Sequence, residues 1–462
     1  MISNSLRRAL LAATALSAFA ALPAQAQTAR ESELEARLKS LEAAVVELRA
    51  ELERTRTAAQ VAVASAPAAS QPVAVEVAAA VPAPAPVPAP ARQAADGPSV
   101  RINGFFKTYA SVSHYSDGPL PSTSSGHDFY VPGTIPVAGL SEGPSYRANV
   151  KQTRIAVSAT TPVAGHVLKG LLEVDFQSSP GVGNQRVTNA YNPALRRAFI
   201  TYDDFLIGQE WSNFQYVAAL PETTDYLGPS EGTVFARQTQ LRYTQAVARG
   251  LTLSVAAENP AATTADAGSA TVIENDTDRM PDLTARLNLA LGRSELSLAG
   301  LARTLTVDLG AQEDSAFGWG VSAAGKLALD ARGRHDLRFM VTHGSGIGRY
   351  VGLNLAPDAV LVRGSSLQLE PVALTAGFAA LRLGWTDQLR STFMGSAQTI
   401  DTPAGLAVAG ANKTVWSASA NLFYSPIRQF DLGIEFRHGE RELVSGVTGR
   451  LDRAEFSAKY SF

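Results

Sequence analysis

The sequence contains no cysteine among its 462 residues, which excludes a disulfide framework, a thiolate nucleophile and a cysteine-ligated metal. It also lacks an excess of either charge, since 40 Lys and Arg face 42 Asp and Glu. Bulk charge therefore gives no support for a nucleic-acid partner, and we expect none. Beyond residue 100, no apolar run reaches the ~20 residues that a membrane-spanning helix requires. What the chain does contain changes in character along its length.

Residues 1–26 have the pattern of a secretory signal peptide. Two arginines near the start precede an apolar run over 10–22, and Ala24-Gln25-Ala26 provides a small-x-small cleavage site. A membrane anchor is the alternative, but the apolar run is shorter than a spanning helix needs. We therefore expect export from the cytoplasm, with cleavage before Gln27.

Residues 27–57 are predicted to form a periplasmic coiled-coil segment, followed by an Ala-, Pro- and Val-rich linker over 58–99. Apolar residues recur at alternating spacings of four and three, the a/d pattern that buries one helix seam against a partner helix: Leu34, Leu38, Leu41, Val45, Leu48 and Leu52. A single amphipathic helix packed on its own domain is the alternative, but an extended Pro-rich linker offers it no docking surface. The pattern favours self-association and does not separate a trimer from another oligomer.

Residues 100–462 show the two-residue periodicity of β-strands. In residues 283–291, for example, leucine and alanine side chains alternate with polar ones. We recognise sixteen such segments, one of them at 146–160, each long enough to cross a bilayer with about ten residues. Seven short turns alternate with eight longer loops, including those at 259–280 and 346–370.

This alternation of connection lengths favours a membrane barrel over a soluble β-sandwich. Outer-membrane barrels have short turns at the periplasmic rim and longer loops at the outer rim, whereas a soluble sheet protein gives no reason for the alternation. The sequence thus predicts an all-β fold, a 16-stranded antiparallel transmembrane β-barrel in the bacterial outer membrane. Its N-terminal coiled coil and linker would lie in the periplasm. A barrel of sixteen strands leaves an aqueous lumen.

Several stretches then carry a resemblance to a known family. They include residues 172–176 and 237–243, and the two runs Arg196-Arg197-Ala198-Phe199-Ile200-Thr201-Tyr202 and Phe205-Leu206-Ile207-Gly208-Gln209-Glu210-Trp211-Ser212-Asn213-Phe214. Over roughly 150–245 the sequence resembles the DcaP-like trimeric outer-membrane porins, and the order of export signal, coiled coil, spacer and barrel is also similar. The resemblance implies a homotrimer whose helical N-termini form a periplasmic rod, and a preference for small anionic solutes.

The charged residues of the barrel region are candidates for the lumen. Its 25 Arg and 6 Lys nearly balance 33 acids, so net charge does not predict selectivity, but the choice of Arg favours bidentate binding of carboxylates or phosphates. A lipid-facing Arg costs ~2–4 kcal/mol near the bilayer midplane, so mid-strand charges should face inward. The pore-lining, solute-binding candidates are Arg154, Glu173, Asp175, Arg196, Arg197, Arg242, Arg286, Arg338 and Arg437. The same rule predicts that six further side chains face inward: Arg382, Arg390, Arg453, Asp431, Glu435 and Glu455.

Two questions about these charges stay open in the sequence. Arg196 and Arg197 are adjacent, so one of them must face outward unless a bulge intervenes or it meets a neighbouring subunit. The charges could also neutralise one another in a polar ladder, which would leave a weakly selective pore.

The loop after the fifth segment, residues 213–232, is predicted to form the constriction. In sixteen-stranded porins the third loop commonly folds into the lumen, and the resemblance implies the same here. Its acids Glu222, Asp225 and Glu231 would then face wall arginines across the narrowest part of the pore. A surface loop is the alternative.

The sequence offers no catalytic pattern. Its six histidines are scattered without metal-ligand spacing, and Ser345 with His343 is the one pair that an enzyme in the barrel rim could use. We expect no enzyme, cofactor or metal. The predicted function is a passive outer-membrane diffusion channel for small hydrophilic solutes, with a preference for anions such as carboxylates. The alternatives are a weakly selective porin and an envelope tether in which the coiled coil binds another component such as peptidoglycan.

Overall fold

The computed structural model describes residues 97–141, 143–177, 189–275 and 277–462. The predicted signal peptide, the coiled-coil segment and nearly all of the linker lie outside these ranges. Within them, no helix is both long and apolar enough to cross a membrane.

Twenty-one β-strands are present in the described residues, and five 3-10 turns lie in the loops between them. In chain order the strands are β1 (Ser99–Tyr115), β2 (Ser145–Asn149), β3 (Arg154–Val163), β4 (His166–Asp175), β5 (Ala194–Tyr202), β6 (Phe205–Trp211), β7 (Arg237–Ala248), β8 (Leu251–Glu258), β9 (Ala262–Asp266), β10 (Ile273–Asn275), β11 (Asp282–Leu291), β12 (Ser294–Asp308), β13 (Glu313–Ala328), β14 (Asp336–Ser345), β15 (Ala359–Arg363), β16 (Leu367–Pro371), β17 (Ala373–Gly384), β18 (Leu389–Asp401), β19 (Asn412–Ile427), β20 (Phe430–Leu443) and β21 (Thr448–Ser461). The 3-10 turns are Ser125–His127, Pro132–Thr134, Val217–Ala219, Ser230–Gly232 and Gly348–Tyr350.

Seventeen of these strands form a closed antiparallel barrel with sixteen wall positions, since β2 and β3 share one of them, which confirms the predicted fold class for this part of the chain. Each wall strand pairs with its neighbours in sequence, and β21 returns to β1, with Phe105 opposite Ser461 and Tyr115 opposite Leu451. Among the described residues, every wall strand except the short β2 has a hydrogen-bonded neighbour on both sides, which satisfies the backbone groups that face lipid.

The second wall position is interrupted, so the predicted segment 146–160 is two strands. β2 pairs with residues 109–113 of β1, and β3 pairs with residues 99–105 of the same strand. Between them, the Lys107 backbone N–H donates to the Thr153 hydroxyl at 3.1 Å. A side-chain oxygen there replaces the ladder partner that a continuous strand would supply.

The tight connections all lie at one end of the barrel and the longer ones at the other, because consecutive strands are antiparallel. Glycines with positive φ allow some of the tight reversals, such as Gly250 at 76° and Gly292 at 64°. The end with the tight connections, called here the turn end, corresponds to the periplasmic rim of outer-membrane barrels. The other end is called the loop end.

Two of the loops at the loop end contain a second, four-stranded sheet. β9 and β10 belong to the loop after β8, and β15 and β16 belong to the loop after β14. The loops join where β9 and β15 pair in parallel. An apolar cluster supports this sheet: Ala262, Leu305, Val307, Ala359, Leu361, Leu367 and Leu369.

The outer face of the wall is apolar, but part of the inner face is apolar too. On β11, Leu283, Leu287 and Leu291 are exposed outward while Asp282 and Thr284 are buried inward. From β12 to β18 the inner face instead contributes apolar residues such as Leu301 and Phe378 to a large core cluster. Loop residues Phe214, Val234, Ile347, Tyr350 and Val351 complete that cluster. Hydrophobic burial therefore holds two loops against the inside of the wall.

Candidate functional site

Loop 213–232 lies inside the barrel against its wall. The Gln215 carbonyl accepts a hydrogen bond from Arg286 on β11 (2.5 Å), and the Leu220 carbonyl accepts one from Arg338 on β14 (2.5 Å). Lys107 on β1 donates to the Thr224 carbonyl at 2.7 Å. Because β1, β11 and β14 are far apart around the wall, the loop crosses the interior.

The three acids of this loop have different surroundings. Glu222 accepts two hydrogen bonds from Arg390 on β18, at 2.5 and 2.7 Å, and its side chain stays 25% exposed. Asp225 is buried and accepts backbone N–H groups of Tyr130, Leu227 and Gly228 at 2.8 to 3.0 Å. Glu231 is also buried. The expectation that all three acids face arginines across open space is therefore corrected, since Asp225 and Glu231 are turned into the protein.

Glu231 makes the seating of the loop sensitive to pH. Burial raises the pKa of its carboxyl group, and the hydroxyls of Ser417 and Ser396 and the charge of Arg437 oppose that shift incompletely. A raised pKa in the folded state means that the stabilisation is present at low pH and is lost as pH rises through that pKa. Glu231 ionises as pH rises, and its ionisation places a buried negative charge between the loop and the wall.

We predict that the single-channel current of the wild type becomes noisier as pH is raised, because ionised Glu231 loosens the loop. Glu231→Gln keeps the shape and cannot ionise, so its noise should stay flat over the same range. Glu222→Gln is the matched control, because Glu222 is partly exposed. Equal pH profiles for wild type and Glu231→Gln would contradict this assignment.

Arg196 and Arg197 both point to the inner side, because a bulge separates them. The β4–β5 ladder shifts register so that Glu173 pairs with Arg197 while Val174 pairs with Leu195. Both arginines bind the Glu173 carboxylate at 2.9 Å, and Arg196 also reaches Asp175 at 2.8 Å. Of the possibilities left open by the sequence, the structure contains the bulge.

A row of partly exposed arginines follows the inner wall, and most of their acidic partners lie behind them. The side chains of Arg154, Arg197, Arg338, Arg382 and Arg390 are 15–24% exposed. Their partners Asp175, Glu173, Glu210, Asp336 and Asp431 are only 1–13% exposed. Glu222 is the exception. The inner surface along this row therefore presents guanidinium groups more than carboxylates.

Two further arginines extend this row without an acidic partner. Arg242 on β7 and Arg286 on β11 are half-buried and form no ion pair with a described residue. Besides its hydrogen bond to the Gln215 carbonyl, Arg286 lies 5.9 Å from the centre of the Tyr216 ring. No carboxylate is therefore bound to either guanidinium group, although the charges of Glu210 and Glu258 act on both.

Arg437, assigned to the pore lining, is instead fully buried. It donates to Glu435 at 2.8 Å and stacks 4.6 Å above the Tyr130 ring. Arg453 is likewise buried, with Ser113 and Tyr115 as partners. The loop after β1 covers both arginines, and strand parity alone cannot reveal such a cover.

Sequence reasoning missed Arg303 on β12, which joins the wall to the second sheet. Its side chain is fully buried and lies 3.2 Å from both Asp282 and Asp358. It also donates to the carbonyls of Ala261 and Gly346. The alternation on β12 hid it, because its inward neighbours are apolar.

The enzyme candidate is not assembled. The His343 Nδ1 lies 2.9 Å from the Thr375 hydroxyl, and no hydrogen bond joins His343 to Ser345. Among the described residues, no group of three His, Asp or Glu side chains could hold a metal ion.

A closed sixteen-stranded barrel with an apolar outer face, an inner row of charged side chains and a loop folded inside is the architecture of a porin-type outer-membrane protein. The family model for DcaP outer membrane protein matches residues 127–462, so the chain belongs to that family. The resemblance seen in the sequence is thereby confirmed.

Several solved structures are similar to this chain. The outer membrane channel DcaP of Acinetobacter baumannii is 25% identical, with a TM-score of 0.63, covering 79% of this chain and 98% of that one. Outer-membrane expressed OmpT of Vibrio cholerae is 10% identical with a TM-score of 0.48, covering 80% of this chain and 99% of that one. Salmonella typhi OmpF in complex with daunomycin is 12% identical with a TM-score of 0.46, covering 79% and 98%. No curated protein sequence matches the chain.

Proposed function

We propose that this protein is a passive outer-membrane channel for small hydrophilic solutes and prefers anions such as carboxylates. The observation that carries the proposal is the inner row of arginines, whose guanidinium groups are more exposed than most of the acids that pair with them. A solute passing this row meets the positive charge first. The similar Acinetobacter protein is an outer membrane channel, which supports the same role here.

The chemistry of the row suits carboxylates. A guanidinium presents a planar fork that binds a carboxylate with two hydrogen bonds. The low-dielectric walls of a narrow aqueous passage focus the electric field of the arginines, which lowers the barrier for anions. Salt screens this effect. Arg242 and Arg286 are the solute-binding positions we favour, because no acidic partner occupies their guanidinium groups. Diffusion through such a pore needs no cofactor and no covalent step.

The assembly we propose is a homotrimer in outer-membrane lipid, with the N-terminal segment in the periplasm. The support is the a/d pattern of residues 27–57 and the family resemblance. A tether to peptidoglycan through that segment is compatible with a channel. Sedimentation of the purified protein with peptidoglycan would reveal that second role.

The test is the reversal potential of the purified protein in a planar bilayer under a salt gradient. We predict a reversal potential with the sign that anion selectivity produces, and its magnitude should shrink as salt is raised. Arg242→Gln with Arg286→Gln should move the potential towards zero, because two positive charges that no carboxylate binds are lost. Arg279→Gln is the matched control, since Arg279 lies in a loop and is paired with Asp308 and Glu313.

Either other result would change the assignment. A wild-type potential near zero or on the cation side would leave a weakly selective porin. An anion-side potential that the double variant retains would place the selectivity elsewhere in the barrel. No conductance at all would favour an envelope tether.

A further inference from the structure

Four of the tight turns at the turn end carry an exposed arginine. They are Arg249 between β7 and β8, Arg293 between β11 and β12, Arg332 between β13 and β14, and Arg428 between β19 and β20. Together with the β17–β18 turn, these turns are consecutive around the barrel, and we call them the basic arc. None of the four forms an ion pair with a described residue.

Little acidic charge opposes the basic arc. Its acids are Asp330 and Asp387, and the Asp330 carboxylate already accepts the backbone N–H groups of Arg332 (2.7 Å) and His335 (2.6 Å). The half-buried Arg334 adds a fifth cation. The arc is therefore positive overall.

The remaining turns of this end have a different charge. The β5–β6 turn is Asp203-Asp204, and His166 lies 2.5 Å from Asp203. The turns that carry arginine are thus on one side of the turn end, from β7 to β20, while on the other side the exposed cations near this end, Arg101 and Lys169, lie within β1 and β4.

At the loop end, by contrast, the exposed cations are in ion pairs. Arg279 is paired with Asp308, Arg363 with Asp266, Arg450 with Glu440 and Lys413 with Glu442, at 2.8 to 2.9 Å. Unpaired exposed arginines in consecutive connections are therefore a feature of the turn end. Their charge is available to a partner outside the chain.

Apolar neighbours fix the level of these arginines relative to the membrane. An outward, half-exposed aliphatic side chain lies one to three residues before each of them: Val247, Leu291, Leu329 and Ile427. In the β17–β18 turn, half-exposed Trp385 takes the aliphatic position. Each arginine thus lies within three residues of an outward apolar side chain at the end of the wall, which is the level of the headgroups.

We propose that the basic arc binds the headgroups of anionic phospholipids in the periplasmic leaflet. A guanidinium donates two hydrogen bonds to a phosphate, and its aliphatic stem can lie along the adjacent apolar side chain. A basic residue at an anionic membrane surface favours an anionic lipid by about fivefold. Peptidoglycan carboxylates would contact the turn tips from the periplasm and would gain nothing from the aliphatic neighbours.

The test uses tryptophan quenching in vesicles that contain the full-length protein. Trp385 lies at the basic arc, whereas Trp211, Trp319 and Trp416 lie nearer the loop end. The difference between wild type and Trp385→Phe therefore isolates the signal of Trp385. Brominated phosphatidylglycerol should quench this signal several-fold more effectively than brominated phosphatidylcholine, and added salt should reduce the preference.

The variant that tests the assignment replaces the four turn arginines with glutamine. In this variant, both brominated lipids should quench Trp385 equally. If the fourfold variant folds poorly, Arg293→Gln alone should still lose part of the preference for brominated phosphatidylglycerol. The matched control is Arg279→Gln with Arg363→Gln and Arg450→Gln at the loop end, which should keep the preference.

Two results would overturn the proposal. One is equal quenching of the wild type by both lipids. If the wild type then also sediments with purified peptidoglycan and the fourfold variant does not, the surface belongs to the cell wall. The other is a preference for brominated phosphatidylglycerol that survives in the fourfold variant. Ion selectivity is measured separately, so failure here leaves the channel proposal untouched.

Discussion

Replacing residues 219–231 with a short glycine–serine linker is expected to raise the single-channel conductance several-fold. This segment crosses the interior of the barrel and is bound to β14, β18 and β1 through Leu220, Glu222 and Thr224. The conductance of a water-filled pore is limited by its narrowest cross-section, so removing a segment that occupies the interior should widen the path. Single-channel recording of the purified variant measures the effect.

The matched control is a replacement of similar kind in the loop 402–411 between β18 and β19, much of which is exposed. That variant should keep the wild-type conductance. If the inner-loop replacement also leaves conductance unchanged, loop 213–232 does not form the narrowest part of the pore.

A single substitution should disturb the same loop more gently. A Cβ at Gly232 would lie 2.2 Å from the carbonyl oxygen of Gly377 on β17, and backbone atoms of the wall cannot yield easily. Gly232→Ala should therefore shift the loop and change conductance by less than the replacement does. Gly395→Ala on β18 is the control, because a Cβ there meets nothing within 4 Å.

Replacing Arg303 with methionine is expected to lower the free energy of unfolding by about 3–5 kcal/mol, the usual cost of breaking a buried ion pair on one side. The substitution would leave the buried carboxylates of Asp282 and Asp358 without their cation. It would also remove the donor to the carbonyls of Ala261 and Gly346, which belong to the two loops of the second sheet. Urea unfolding of the protein in lipid vesicles, followed by tryptophan fluorescence, measures the loss.

Two further variants identify the cause of that loss. Arg279→Met removes an exposed pair and should cost only about 0–1 kcal/mol. Adding Asp282→Asn and Asp358→Asn to Arg303→Met should recover part of the stability, because the uncompensated buried charges disappear. A loss for Arg303→Met no larger than that for Arg279→Met would mean that solvent reaches the cluster.

Strand number and order could be predicted because lipid imposes a local rule. A side chain that faces hydrocarbon must be apolar whatever its distant neighbours are, so each strand shows the alternation by itself, as residues 283–291 do. Connection length is local too, and it separates the turn end from the loop end. The motif over 196–214 added the family, which the match to residues 127–462 confirms.

The environment of individual charges could not be predicted in the same way. The two-residue alternation of the strand predicts that Arg437 faces inward, but it could not reveal that Tyr130 of the loop after β1 covers it. Parity also failed on β12, where the inner face is apolar because loops pack against it, and so Arg303 was missed. The bulge that turns both Arg196 and Arg197 inward depends on the register of β4 against β5.

The sequence by itself determined the closed barrel, its strand order and the two kinds of rim, because these depend on the solvent that each residue meets and on the residues adjacent in the chain. Only the tertiary structure decided which charges are exposed inside. That outcome depends on loops folded back from distant positions, which bury Asp225, Glu231 and Arg437 and leave Glu222 and the arginine row partly exposed. Burial inside this barrel is set by contacts between residues that are distant in the chain, such as Tyr130 with Asp225 and with Arg437, and a two-residue pattern carries no record of them.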